Sequence, residues 1–187
     1  MTKRATTSFP ILDVIAERWS PRSFDESATL TMADLGPAFE AARWAPSGNN
    51  LQPWSFIVGF RGDETHAKIA AALSGFNAAW APHASALVVT ITDTISPSGR
   101  PNPWARYDLG QAAAYFSIQA QANGLHTHQM GGVDIEALSE ALGINEPQEM
   151  VTVIAVGKVG SADALPEEMA ARENAPRERK EVSEFVR

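Results

Sequence analysis

The stretch APSGNNLQPWSFIV, Ala45 to Val58, decides how the chain is read. Pro46, Ser47, Gly48, Asn49 and Asn50 are poor helix and strand formers, because they constrain φ or compete for backbone hydrogen bonds. Directly after them the sequence turns apolar, and Trp54 to Phe60 reads as a buried strand. Upstream, Leu35, Ala38, Phe39 and Ala42 give one buried face to a helix running to about Trp44. Thr31 and Asp34 have the spacing of a capping box at its start. A helix therefore hands over to a strand through a turn dense in neutral donors and acceptors.

Outward from that turn, Ile11 to Trp19 has near-helical apolar spacing that Pro21 stops. Gly62-Asp63 opens a helix through Leu73, and Ala86 to Thr92 is a second strand. A loop from Ser96 to Pro103 precedes a long Ala-rich helix, Trp104 to Asn123, with Gly124 placed to end it. Asp134 caps IEALSEAL, Gly143 closes it, and Met150 to Gly160 holds the third clear strand. Helices outnumber strands and their order implies an α+β sandwich around one central sheet. The whole of 1–187 reads as a single domain. From Ser161 a charged tail is broken by Pro166 and Pro176, and Val182, Phe185 and Val186 at its end need a docking surface on this chain or a partner.

Composition narrows the function classes. The chain has 187 residues, 44% hydrophobic and 20% charged, with a net charge of −7 and no cysteine. Those totals suit a soluble, cytoplasmic globular protein. They give no membrane span and no secretory leader. Lys/Arg-rich sequence is confined to the last dozen residues, so nucleic-acid binding is not expected.

Four clusters carry chemistry. In RWSPRSF, Arg18, Ser20 and Arg22 can converge on a phosphate or a planar heterocycle, or simply be solvated residues after a helix. Ser47, Asn50 and Gln52 offer neutral polar groups to a ligand, or satisfy the backbone of their own turn. In GLHTHQMGGVD, Gly131-Gly132 permits close backbone approach to a flat ligand. His126 and His128 lack the carboxylates or thiolates of a zinc site, so a pocket-wall or core role is expected and no metal. Arg177, Arg179 and Lys180 form a basic knot, or a solvated charge run.

Seven motifs in order make this sequence resemble the nitroreductase family of FMN-dependent oxidoreductases. They are Arg18/Ser20/Arg22, Ala45 to Trp54, Asn77, Asp108 to Ala113, Gly124 to Gly132, Val153 to Gly157, and Arg177/Arg179. The resemblance covers nearly the whole length and looks like a short member. It implies a three-layer α/β/α sandwich with a mostly antiparallel central sheet, assembled as a homodimer with exchanged tails, residues 161–187 being the extended tail.

The resemblance also assigns roles. Arg18, Ser20, Arg177 and Arg179 would hold the FMN phosphate, while Arg22 and Asn77 face the pyrimidine part of the flavin. Pro46 would pack on the ring, with Ser47, Asn50 and Gln52 on the ribityl chain and ring edge, commonly from the neighbouring subunit. Gln129 and the backbone of Met130, Gly131 and Gly132 would approach N5 and O4; many members carry Glu in place of Gly131. No side chain is expected to act as a catalytic acid, base or nucleophile. NADH or NADPH would deliver hydride to the flavin, and a nitroaromatic, quinone or similar planar acceptor would then take the electrons in a ping-pong cycle. Reductive dehalogenation, ring dehydrogenation and a non-catalytic FMN-binding module are the alternatives.

Overall fold

Ala86 to Ile91 is apolar or hydroxylated at every position, so neither face of that strand can be left to water. The computed structural model, which describes residues 3–187, covers both faces. Its elements in chain order are α1 (Asp13–Glu17), α2 (Met32–Arg43), β1 (Trp54–Phe60), α3 (Glu64–Ala71), β2 (Ala86–Asp93), α4 (Ala105–Ala122), β3 (His126–Met130), α5 (Ile135–Leu142), β4 (Gln148–Gly157) and α6 (Glu167–Asn174). The sheet order is β1-β2-β4-β3. Each of its three strand pairs is antiparallel.

Side-chain alternation along β2 and β4 divides the core in two. Val88, Ile154 and Val156 face one way and pack with Leu35, Ala38 and Ala42 of α2 and Ala112, Ala113 and Phe116 of α4. Leu87, Val89, Val153 and Ala155 face the other way, against Ile69 of α3, Leu138 of α5, Trp80 and Met169 of α6. The three layers expected from the sequence are therefore present. Small residues on α2 and α4 let the two helices lie close on the same face.

Local signals explain most boundaries. Thr31 and Asp34 form the expected capping box. The Asp63 and Asp134 side chains accept from the third residue of α3 and α5. Gly143 ends α5 in a left-handed conformation, φ 69°.

Three features depart from expectation. α1 is only five residues long and has no side-chain cap, which leaves so short a helix little to offset nucleation. Arg18 leaves the helix in an extended conformation. His126 to Met130 forms a full edge strand on β4. The 161–187 segment is not extended throughout: Glu167 and Glu168 in the first turn and Arg172 in the last favour α6.

Gly59 fixes how closely α3 approaches β1. A Cβ there would lie 2.3 Å from the His66 nitrogen and 2.5 Å from its Cα. Since those are backbone atoms, Gly59→Ala must push the helix off the sheet. Urea denaturation is expected to show a loss of about 3 kcal/mol, the upper end of ordinary overpacking costs.

Candidate functional site

After α1 the chain leaves the helix at Arg18, φ −62° and ψ 130°, and Pro21 and Ser23 are buried while Arg18, Trp19, Ser20 and Arg22 stay half-buried. They line a cavity of about 310 Å³ whose opposite wall is the C-terminal segment with Arg177 and Arg179. Six cationic side chains face it against two carboxylates, Glu173 and Glu178. Burial, and then repulsion from Arg177 and Arg179, pull the Arg18 guanidinium below its ordinary pKa. Burial and then Arg179 do the same to Arg177. A site that disfavours its own cations is one that an anion stabilises.

Hydrogen bonds hold this cradle open in a fixed shape. Arg177 Nη1 donates to the carbonyls of Lys3 and Ala16, both at 2.8 Å. Lys3 Nζ donates to the carbonyls of Glu173 and Ala175. Arg18 Nη1 reaches Ser20 Oγ at 3.3 Å. Arg22 Nη1 lies 3.7 Å from Glu173 Oε2. Arg22 thus lines the same cavity as Arg18, Arg177 and Arg179.

Edge strand β3 packs against the arginine segment. His128 Nδ1 is 2.8 Å from the Pro21 carbonyl, and the His126 ring meets Trp19 edge-on at 6.1 Å. Both histidines pack against the arginine segment through these contacts. Burial first, then Arg18, lowers the His126 pKa. Burial first, then Arg22 and Arg18, lowers that of His128, against an opposing bond to Pro21. Gln129 Nε2 donates to Ser117 Oγ of α4 at 3.3 Å, and Met130 is buried. At the strand's end the Gly132 carbonyl accepts from Ser74 N at 3.1 Å and from Asn77 Nδ2 at 3.2 Å. Asn77 is thereby brought against the Gly131-Gly132 pair.

The Ala45–Pro53 turn lies elsewhere. Asn49, Asn50 and Gln52 adopt φ of 52°, 54° and 49°, a region that side chains beyond Cβ rarely occupy. Gly48 N donates to the buried Asp108 Oδ2 at 3.1 Å, and Gln111 Nε2 to the Pro46 carbonyl at 3.3 Å, anchoring the turn on α4. Ser47 Oγ accepts from Gln52 N, and Gln52 Nε2 donates to the Asn50 carbonyl. Ser47 and Gln52 therefore brace their own loop, while Pro46, Asn50 and Gln52 stay exposed. The turn enters β1, at one edge of the sheet, whereas the cradle stands beside β3 at the other. Three inter-strand steps separate those edges, roughly 14 Å before any offset along the strands.

Residues 15–91 and 78–158 match the model of the Nitroreductase family. The chain belongs to this family. An uncharacterized 15.4 kDa protein of Mycolicibacterium smegmatis is 36% identical over 135 residues, 66% of this chain and 88% of that protein. YodC of Bacillus subtilis, which carries the name of an NAD(P)H nitroreductase, is 26% identical over 186 residues, 79% of this chain and 88% of its own. A crystal structure described as an oxidoreductase containing FMN superposes with a TM-score of 0.92 at 29% identity, covering 100% of this chain and 95% of that one. The chain is thus a nitroreductase-family oxidoreductase with the family fold.

The donor set fits the FMN that the superposed oxidoreductase contains: charged forks at one end, amides and main-chain groups at the other. Sequence reasoning missed Lys3, Glu173 and, as the turn's anchor, Asp108. Glu173 and Lys3 sit in ordinary charged runs, and Asp108 was noted only as part of a helix motif. Arg61 was also missed; it pins the 26–28 segment by donating to the carbonyls of Glu26, Ala28 and His83.

Two expectations follow from this geometry. His66, His126 and His128 all have lowered pKa values, burial being the largest cause in each. The unfolded chain takes up protons near pH 6.5 while the folded one resists them, so stability is complete above that pH and falls as pH drops below it. The thermal midpoint should decline from about pH 7.5 to 5.5, with NMR showing neutral His126 and His128 rings at about pH 6.5; a midpoint that climbs on acidification contradicts this. Separately, a methyl on Gly132 would lie 2.7 Å from Asn77 Nδ2, whereas one on Gly131 meets nothing within 4 Å. Gly132→Ala should shift the Asn77 side-chain amide resonances and cost about 1 kcal/mol, and Gly131→Ala should do neither.

Proposed function

We propose that this protein is an FMN-dependent oxidoreductase that takes electrons from NADH or NADPH and delivers them to a planar acceptor such as a nitroaromatic or quinone. The observation that carries the reading is the meeting of Arg18, Ser20, Arg22, Arg177 and Arg179, from opposite chain ends, around one cavity in a chain of net charge −7. The FMN phosphate has about −1.5 to −2 charge near neutral pH, and repelling guanidinium groups are what it would neutralise. Bound FMN would supply the hydride and electron transfer. The chain's own part is to bind and orient: arginine forks and the Ser20 hydroxyl take the phosphate, and Asn77 and Gln129 offer amides to the ring edge. Gly131, with open space above it, leaves its backbone free to approach a flat ligand.

The same reading makes the active form a homodimer. One chain holds the cradle and the Pro46–Gln52 turn at opposite sheet edges, so a flavin seated in the cradle takes its turn contacts from a second copy. Exposed side chains along α4 support this. Tyr107 and Tyr115, 66% and 43% exposed, lie with Ala114 on an outward face, and Trp104 just before the helix is 63% exposed. A stripe of that kind is costly to leave in water.

Purified protein should absorb in the flavin band, and anaerobic NADH or NADPH should bleach it. Arg18→Ala and Arg179→Ala should each weaken FMN retention by removing a charge-assisted contact, about 1.5–3 kcal/mol. Light scattering should give twice the chain mass. A protein that takes up no FMN refutes the reading, and one that keeps its colour through NAD(P)H addition is a flavin-binding module without turnover.

A further inference from the structure

A carboxylate inside an anion-binding cradle needs a reason, and Glu173 is 3% exposed there. Its position in the last turn of α6 is also where the helix dipole disfavours negative charge. The contacts supply the reason. Glu173 Oε1 accepts from the backbone N–H of Arg22 at 2.8 Å and of Ser23 at 3.1 Å. Glu173 Oε2 has no hydrogen-bond partner of its own and faces the Arg22 guanidinium. The same segment is gripped from its far side, where Ser23 Oγ donates to the Ser161 carbonyl at 2.5 Å.

Glu173 stands four residues before Arg177 and six before Arg179. Its side chain therefore spans the two halves of the cradle, holding the Arg18–Arg22 segment at a set distance from the C-terminal arginines. We propose that Glu173 is a positioning residue for the phosphate end of the bound flavin nucleotide: it sets the spacing of the two arginine pairs by accepting two backbone amides, and it touches no ligand itself. This rests on the FMN-dependent reading above. Reach matters here more than charge. Gln keeps an oxygen at the same distance for the two amides; Asp keeps the charge but is one methylene short.

The test uses apoprotein titrated with FMN and, in parallel, with riboflavin, which lacks the phosphate, following flavin fluorescence; inorganic phosphate is added alone while the thermal midpoint is recorded. Glu173→Ala and Glu173→Asp should each raise the FMN dissociation constant about tenfold or more and abolish the rise in midpoint with phosphate. Riboflavin affinity should stay within about twofold. Glu173→Gln should restore FMN affinity to within about threefold of the parent. The proposal is overturned if Glu173→Asp or Glu173→Ala binds FMN like the parent, if Glu173→Gln is as poor as Glu173→Ala, or if riboflavin binding falls in parallel. Should Glu173→Ala fail to fold, the Asp and Gln pair decides the question alone. A parent protein indifferent to FMN and phosphate sinks the proposed function and this inference together; a responsive parent with equally responsive variants sinks the inference only.

Discussion

Like-charge repulsion is the constraint around which this molecule is arranged. Burial and then the charges of Arg177 and Arg179 pull the Arg18 guanidinium below its ordinary pKa, and burial and then Arg179 do the same to Arg177; nothing in their own chemistry would hold them there. Their company is maintained by neutral carbonyls and one buried acid. Arg177 spends donors on Lys3 and Ala16, and Lys3 spends its own on the end of α6. Both chain ends are thereby fastened to each other, and the His128 contact with the Pro21 carbonyl ties them to β3. The central sheet makes this possible, because β2 and β4 are covered on both faces and give edge strand β3 a firm backing.

Charge and neutrality are divided along the site. The end beside Arg18 and Arg179 is strongly cationic, whereas the groups at Asn77, Gln129 and Gly132 are amides and main chain. An oxidation-state change in a bound ring alters its charge, and neutral dipoles can follow that change without committing to one state. A permanent phosphate charge calls for permanent counter-charge, and arginine provides it.

Elements with strong local patterning were legible before any coordinates. α2, β1, α3, β2, α4, α5 and β4 each had a cap, a glycine stop or an apolar run of the right period. β3 was harder, because HTHQM has no apolar alternation; its strand character comes from pairing with β4. α1 was read too long, since apolar spacing says nothing of a missing cap. α6 was hidden in a charged segment flanked by prolines. The cradle's members could be named from their motifs, but their union is a tertiary fact: more than 150 residues separate Arg22 from Glu173. A lone Glu in MAARENAP gives no hint that it will be buried. Conversely, the bland option was partly right for Ser47 and Gln52, which brace their own loop.

The left-handed residues Asn49, Asn50 and Gln52 carry a last consequence. Each costs conformational free energy of the order of 1 kcal/mol or more, less for asparagine than for glutamine, and that cost is met while the chain folds, by the tether of Gly48 to Asp108. Whatever comes to rest on Pro46 and Asn50 meets a surface already in shape, so little disorder remains to be lost on contact. Adaptation of this loop to new ligands by sequence drift is correspondingly narrow: only residues that tolerate the mirror-image backbone can enter it.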